Sequence, residues 1–381
     1  MNNFLWKIYL YRFFEAFKLI GVIFTLFFQH NGLTTFEISI LIAMWSVTQL
    51  ILEVPLGVFA DKYSRRNLLV IALGFLIIGF LFWLKGGFLF YAIGFVFWGV
   101  KNALTSGTLE AFVYDELKTF GKEDQYEKVN GRLEALFWSG VTVSALLGGL
   151  VASISFNLVL ALTIVSTLFA AVSLLLIKPV QSVRSTGESK YLLVLKEALN
   201  EVKTNKGLLK IMVFFCLVFA TYGAADEYWA LVYGKLGIPI ALIGFLVAAG
   251  YGLFALAGST LKLFKFKNSA WWLIVISGII FILSGLVNSV VSIPLLLLGL
   301  YLFKVAHIKY DVQFQQSITG GERATVSSLK SLVFEVVYMG FVLFFGFIST
   351  KVGIISVVYL LGIMLLFWLV ISKLFLREKQ F

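Results

Sequence analysis

Long apolar segments separated by short polar ones repeat along the whole chain. A transmembrane helix needs about 20 mostly apolar residues to cross a hydrocarbon layer of about 30 Å. Twelve windows of this kind can be read from the sequence, at residues 5–30, 36–58, 67–85, 88–112, 131–153, 156–177, 209–232, 239–261, 270–288, 292–312, 326–349 and 353–374. The pattern predicts an all-α integral membrane protein with twelve transmembrane helices.

The longest polar stretch, residues 178–208, divides these windows into six before it and six after it. It begins with Pro179 and a run rich in serine and glycine, which favours a loop. Apolar residues then recur at helical spacing over residues 191–202, which predicts an amphipathic helix at the membrane surface. We therefore expect an N-terminal six-helix bundle at 1–177, a cytoplasmic linker, and a C-terminal six-helix bundle at 209–381.

Composition and charge support the membrane interpretation. Of the 381 residues, 60% are hydrophobic and 13% are charged, whereas soluble domains average about 45–50% and about 25%. The net charge of +11 could indicate a nucleic-acid partner, but no long soluble segment offers a folded basic surface. At the ends of the windows and in the segments between them, only Lys85, Lys235 and Lys351 lie on the side opposite the termini. Because basic residues favour the cytoplasmic side, we expect cytoplasmic termini in a multi-pass protein of the cell membrane.

The polar stretch GVFADKYSRR joins the second and third windows. Gly57, Asp61, Arg65 and Arg66 follow the spacing G-x-x-x-D-x-x-S-R-R, which resembles the loop signature of the major facilitator superfamily, with Ser64 in place of the usual glycine. Together with the six-and-six division, this loop identifies the chain as a member of that superfamily. The resemblance implies that the loop is a gate latch, in which Asp61 engages the opposite half when the cytoplasmic side is closed.

A second resemblance lies in the fifth window. Small residues recur there at the spacing of the family's antiporter motif, G-x-x-x-G-P-x-x-G-G, and they are Gly140, Ser144, Ala145, Gly148 and Gly149. Serine and alanine thus stand where the motif has glycine and proline. Two interpretations stay open. The residues form a close-packing seam of the kind found in any membrane helix bundle, or they mark the bacterial drug/proton antiporter-like branch of the family.

Ionisable residues within the windows are candidates for a substrate and proton pathway, because charge inside a membrane is costly and usually functional. The family resemblance implies that the first, fourth, seventh and tenth helices line a central cavity. The candidates fall mainly in those windows, and they are Glu15, Lys18, Lys101, Asp226, Glu227, Lys304, His307 and Glu335. Glu15 and Lys18 can also be a simple internal ion pair, and Asp226 and Glu227 can simply face outside water. His307 is either a proton carrier or a neutral hydrogen-bonding residue.

These features favour a secondary active transporter that moves a small molecule by alternating access. Proton-coupled efflux of amphipathic compounds is the preferred reading, with Glu15 or His307 changing protonation. The central lysines also suit a symporter that imports an organic anion or zwitterion with protons. A non-transporting receptor or scaffold on the same fold is the alternative from another class.

Enzymatic function is not expected. The chain has no phosphate-binding G-x-x-x-x-G-K-[ST] pattern, and no spacing pairs a nucleophile with a base. Its two histidines and Cys216 stand far apart, so no metal site or other cofactor is expected. The expected partners are a small-molecule substrate, protons and the lipid bilayer, with no nucleic acid, and the expected state is a monomer.

Overall fold

The computed structural model of the protein describes residues 1–60, 63–178, 202–318 and 323–375. The α-helices of these residues are α1 Asn2–Ala16, α2 Phe24–His30, α3 Thr35–Ala60, α4 Arg65–Trp83, α5 Phe88–Thr105, α6 Thr108–Thr119, α7 Tyr126–Ala152, α8 Phe156–Leu175, α9 Lys206–Asp226, α10 Trp229–Lys235, α11 Ile240–Thr260, α12 Ser269–Val287, α13 Ile293–Ser317, α14 Arg323–Val352 and α15 Ser356–Phe375. Short 3-10 helices lie at Leu19–Val22, Glu123–Gln125, Leu261–Leu263 and Val290–Ser292. The all-helical prediction is therefore confirmed for the described chain.

Eleven stretches of the described chain are helical, long enough and apolar enough to cross a membrane. Membrane-spanning helices are thus confirmed, whereas the number twelve is not, and the difference lies in the first window, 5–30. There α1 ends at Ala16, and α2 begins only at Phe24. Between them Lys18 has extended backbone, with φ −104° and ψ 98°. Its ammonium group donates a hydrogen bond to the Glu15 carbonyl, which a continuing helix would offer to a backbone amide.

Several predictions fall on residues outside this description. Asp61 is one of them, and so is the predicted amphipathic helix at 191–202, except for its last residue. The gate latch, the division of the chain at 178–208 and the cytoplasmic position of the termini therefore stay predictions.

The described chain forms two compact units, each with its own core. The first unit contains residues 1–33, 40–178 and 239–248, and the second contains residues 34–39, 202–238, 249–318 and 323–375. Each unit therefore combines most of one half of the chain with a short segment from the other half.

In the first unit, α1 packs against α7 and α8, and α4 packs against α5 and α8. Apolar side chains from α1, α4, α6, α7 and α8 make one core, which includes Phe4, Tyr11, Phe112, Leu117 and Leu133. A second group is aromatic and surrounds α2, with Phe28 in contact with Trp83, Tyr91 and Phe95 at ring-centroid distances of 4.7–5.5 Å. These contacts hold the interrupted first segment against intact helices.

In the second unit, α12 packs against α13 and α15, and α9 packs against α14. The core between α9, α13 and α14 contains Leu208, Met212, Cys216, Phe314 and Val326. The outward surface of both units carries many large apolar side chains, as expected for helices that face lipid.

Glycine pairs bring two helices into backbone contact in each unit. In the first unit, Gly79 on α4 faces Gly94 on α5, and a side chain added at Gly79 would lie 2.9 Å from the Gly94 carbonyl oxygen. In the second unit, Gly278 on α12 faces Gly362 on α15, and a side chain added at Gly278 would lie 3.1 Å from the Gly362 carbonyl oxygen. Small residues permit such close approach in membranes, where packing rather than the hydrophobic effect holds helices together.

Replacing Gly362 with alanine should therefore destabilise the second unit. The added methyl group would overlap the Gly278 carbonyl oxygen, and overpacking of this kind costs about 1–3 kcal/mol. We expect a lower unfolding temperature for Gly362→Ala in detergent. Gly340→Ala on α14 is the matched control, because nothing lies within 4 Å of the added atom. Equal unfolding temperatures for the two variants would contradict the close backbone contact between α12 and α15 at Gly362.

Candidate functional site

The first membrane segment of each half of the chain is interrupted next to charged residues. α1 gives way to extended backbone and a 3-10 turn just after Glu15, at Lys18. α9 ends at Asp226, and α10 begins at Trp229 after the intervening Glu227. Transporters often build their substrate and ion sites from such discontinuous helices, because the freed backbone and side chains point into the pathway. Four of the predicted pathway residues lie at these two breaks.

In the first unit, Glu15 is the centre of a buried ion cluster. Its carboxylate is 2.6 Å from the Lys101 ammonium, 3.3 Å from the Arg12 guanidinium and 3.6 Å from the Lys18 ammonium. Arg12 also contacts Glu134 at 2.8 Å. The Glu15 side chain is only 5% exposed. The structure thus brings the predicted Glu15, Lys18 and Lys101 together, with three bases around one buried acid.

The second unit places Lys304 among aromatic rings instead of acids. Its ammonium lies 5.0 Å from the Phe254 ring centroid and 5.6 Å from the Tyr222 ring centroid. Among the described residues, no carboxylate oxygen lies within the 4 Å of an ion pair. Asp226 acts on Lys304 electrostatically from farther away. One of its oxygens accepts hydrogen bonds from the Tyr222 hydroxyl and the Trp229 indole, each of 2.9 Å.

Two other basic residues of the second unit differ from Lys304. His307 on α13 is surrounded by Phe215, Phe219 and Phe254, at ring-centroid distances of 4.6–6.1 Å. Lys330 on α14 is paired with Asp311 at 2.8 Å. Lys330 is therefore balanced by an acid, and His307 lies in an aromatic pocket.

Glu227 and Glu335 lie near each other in the second unit. The Glu227 carboxylate accepts a hydrogen bond of 2.6 Å from the Tyr338 hydroxyl on α14. Glu335 is on the same helix as Tyr338, one turn before it, and acts on Glu227 electrostatically. In the described chain no basic nitrogen lies within 4 Å of Glu227. A neutral phenol is thus the nearest polar partner of this half-buried acid.

The two arginines of the predicted gating loop bind within the first unit. Arg65 is 2.5 Å from Asp115, and Arg66 donates to the carbonyl oxygens of Leu174 and Leu175 at the end of α8. Cations at a helix C-terminus satisfy its last carbonyl groups. Gly57 lies within α3. The arginines therefore fasten the start of α4 to its neighbours, while the latch itself stays a prediction.

The small residues of the antiporter-like motif lie against backbone within the first unit. A side chain added at Gly140 would lie 2.6 Å from the Phe13 carbonyl oxygen, and one added at Gly148 would lie 2.6 Å from the Leu19 carbonyl oxygen. Gly149 faces α11 in the same way. Ser144 and Ala145 are also buried. This arrangement is the close-packing seam of the first interpretation, and it leaves the link to the antiporter branch a prediction.

Sequence reasoning missed the aromatic partners in the second unit. Tyr222, Phe254 and Tyr338 are neutral residues in a chain with 15 tyrosines and 39 phenylalanines, so their type carried no signal. Glu134 was missed because it lies 122 residues from the arginine that it contacts.

Comparison with known proteins decides the family. The sequence matches the model of the Major Facilitator Superfamily over residues 12–308, which is more than half of the chain. The protein belongs to the Major Facilitator Superfamily. It is therefore a membrane transporter and not an enzyme, as expected.

Individual relatives are distant. The chain is 24% identical over 233 residues to the uncharacterized MFS-type transporter YxaM of Bacillus subtilis, and the match covers 60% of this chain and 57% of that relative. The structure of the nucleoside transporter NupG is similar with a TM-score of 0.78, 13% identity and 99% coverage of both chains. A bacterial homologue of the human lysosomal transporter Spinster, in an inward-facing and unoccupied conformation, gives a TM-score of 0.72 and 14% identity, covering 99% of this chain and 98% of that one. These structures share the fold with this chain.

The Glu15 cluster should contribute strongly to stability. Glu15→Gln would leave three bases without their shared buried acid, and breaking a buried pair costs about 3–5 kcal/mol. We expect the unfolding temperature of Glu15→Gln in detergent to be clearly lower than that of the wild type. Glu134→Gln is the control, because its carboxylate is 49% exposed and an exposed pair is worth about 0–1 kcal/mol. If Glu15→Gln unfolds at the wild-type temperature, the cluster does not hold the first unit together.

Proposed function

We propose that the protein is a proton-coupled secondary transporter that exports small amphipathic compounds in exchange for protons. Transporters of this family work by rocking one half against the other around a fixed site. The observation that carries the proton coupling is the position of Glu227, a half-buried carboxylate at a helix break with a tyrosine as its partner.

The surroundings of Glu227 favour reversible proton binding. Acids contribute most of the nearby charge, since Asp226 precedes Glu227 and Glu335 faces it from α14. Tyr338 from α14 donates its hydroxyl hydrogen to the carboxylate, and Tyr251 from α11 is within electrostatic reach. The nearby base, Lys304 on α13, forms no ion pair with Glu227 within 4 Å. A proton on Glu227 therefore removes a like-charge repulsion and leaves no cation unbalanced.

Glu15 and His307 suit the role of proton carrier less well. A proton on Glu15 would leave Lys101, Lys18 and Arg12 around a neutral group in a buried place, which is costly. A proton on His307 would create a cation among three phenylalanine rings and near Lys304 and Lys330, and the acid within electrostatic reach, Asp311, already pairs with Lys330. We therefore assign the coupling proton to Glu227 and a stabilising role to the Glu15 cluster.

Aromatic surface beside the charges supports an amphipathic substrate. The ring of Tyr222 stacks on Phe303 with centroids 4.4 Å apart, and Phe254 is 39% exposed. Rings of this kind bind the apolar part of a small molecule, while a few polar groups fix its orientation.

Import by symport is the second candidate function. It is favoured by Lys304, because a cation without an acid close to it suits an organic anion or zwitterion that enters together with a proton. Export is favoured by the spacing of Gly140, Gly148 and Gly149, which resembles the family's antiporter motif.

Proteoliposomes distinguish the two directions. The probes are 1-naphthalenesulfonate and its trimethylammonium counterpart, whose permanent charges prevent passive accumulation by a pH gradient. With the membrane potential clamped, exchange for protons predicts accumulation when the lumen is acidic, and symport predicts accumulation when the outside is acidic. A proton-sensitive dye in the lumen reports the coupled proton. Identical fluxes with and without a pH gradient would remove proton coupling from the proposal.

Replacing Glu227 with glutamine should uncouple transport from protons. The amide keeps a hydrogen bond to Tyr338 but binds no proton, so we expect at least a tenfold loss of gradient-driven accumulation. Exchange of labelled for unlabelled probe, which needs no net proton movement, should continue. Glu127→Gln, at an exposed carboxylate on α7, should leave both activities unchanged. Full gradient-driven accumulation by Glu227→Gln would place the coupling proton elsewhere.

A further inference from the structure

The second unit contains a cation whose position is fixed by rings rather than by an acid. Lys304 is half-buried on α13, and its ammonium lies over Phe254 of α11 and Tyr222 of α9. A lysine side chain loses rotamer freedom when it is immobilised. Three helices thus combine to hold one flexible ammonium group at one place.

Neighbouring hydrogen bonds keep the closest acid away from this ammonium. Asp226 does not reach within 4 Å of Lys304, and one of its carboxylate oxygens accepts hydrogen bonds from Tyr222 and Trp229. The Tyr222 side chain therefore has two contacts at once, since its hydroxyl binds Asp226 and its ring faces Lys304. The hydrogen bonds fix both the acid and the ring, and the ammonium keeps its hydrogen-bond donors for another group.

Two other lysines in the apolar windows differ from Lys304 because each has an acid close to its ammonium group. Lys330 also lies over two rings, at 4.1 Å from Phe215 and 4.5 Å from Phe314, but it is paired with Asp311. Lys101 is paired with Glu15. Both carry an acid at 2.6–2.8 Å. Lys85 also lies over two rings, Phe82 and Phe90, with no acid within 4 Å in the described chain, but it is exposed. Lys304 is half-buried and thus differs from Lys85 in burial and from Lys101 and Lys330 in having no close acid.

We propose that Lys304, Tyr222 and Phe254 form a binding subsite for the anionic group of the transported compound. The ammonium donates charge-assisted hydrogen bonds to a carboxylate, sulfonate or phosphate oxygen. The exposed Phe254 ring and the half-buried Tyr222 ring, which is backed by the buried Phe303, contact the planar apolar part next to that group. This inference rests on the proposed transport function, and it assigns the substrate to the class of aromatic or amphipathic organic anions.

A binding measurement tests the subsite without any proton gradient. Isothermal titration calorimetry on the purified full-length protein compares 1-naphthalenesulfonate, neutral 1-naphthalenemethanol and the naphthyl trimethylammonium ion. We expect the sulfonate to bind at least tenfold more tightly than the other two. Lys304→Gln should weaken sulfonate binding at least tenfold and leave binding of the neutral alcohol within twofold. Lys304→Arg should retain most of the affinity, because it keeps the charge.

Controls separate this loss from misfolding. Lys309→Gln removes a half-buried lysine from the same helix, five residues further on, and should bind the sulfonate like the wild type. Lys304→Gln removes a cation without a close acid, so its unfolding temperature should not fall. Phe254→Leu keeps the Lys304 charge and removes a ring, and it should lower the affinity for the sulfonate several-fold.

The result that overturns the subsite is equal sulfonate affinity in the wild type and Lys304→Gln, or a wild type that does not prefer the sulfonate. Either result leaves proton coupling at Glu227 intact, since that rests on gradient-driven flux. A second outcome is that flux does not depend on the proton gradient, while sulfonate binding still depends on Lys304. In that case the subsite stands, and the transport mechanism is wrong.

Discussion

A charge that leaves water for an apolar interior needs an opposite charge or several strong hydrogen bonds, and this constraint organises the first unit. Glu15 meets it with bases on both sides of the end of α1 and with Lys101 from α5. The interruption of α1 is part of the same arrangement. Lys18 reaches the Glu15 carbonyl because the chain leaves helical geometry there, so that no backbone amide takes that oxygen. The ion cluster and the helix break therefore share Lys18.

The second unit stabilises a corresponding break by other means. Between α9 and α10 the acids Asp226 and Glu227 accept hydrogen bonds from the hydroxyl and indole groups of Tyr222, Trp229 and Tyr338. These neutral donors hold the carboxylates in place without cancelling their charge. Consequently the charge of Glu15 at the break in the first unit is balanced by bases. At the break in the second unit the carboxylates keep their negative charge, which can respond to a proton or a ligand. The acids at the two breaks therefore differ in their partners, which are bases in the first unit and neutral donors in the second.

The sequence predicts what is local and periodic. Apolar windows of membrane length indicated the helices from α3 onward, and the spacing of Glu15 and Lys18 indicated a pair within one turn. Hydropathy averages over about 20 residues, so it does not register a break such as that at Lys18, which depends on a single backbone conformation. Local sequence patterns also do not identify partners that are far apart in the chain, such as Lys101, which lies 86 residues from Glu15. Candidate charges could therefore be named from the sequence, but not sorted into paired and unpaired ones.

The presence or absence of a counter-charge decides which role is inferred for charged residues that look alike in the sequence. Lys101 and Lys304 are both lysines within apolar windows, yet only the first has an acid within 4 Å in the described structure. A buried charge without a close counter-charge raises the free energy of the empty protein. A ligand that supplies the missing charge removes this cost when it binds, so part of its affinity comes from relief of the empty site. In the proposed mechanism the same reasoning applies to Glu227, where the arriving species is a proton. The two proposed sites would then link the local electrostatics of the second unit to the binding steps of a transport cycle.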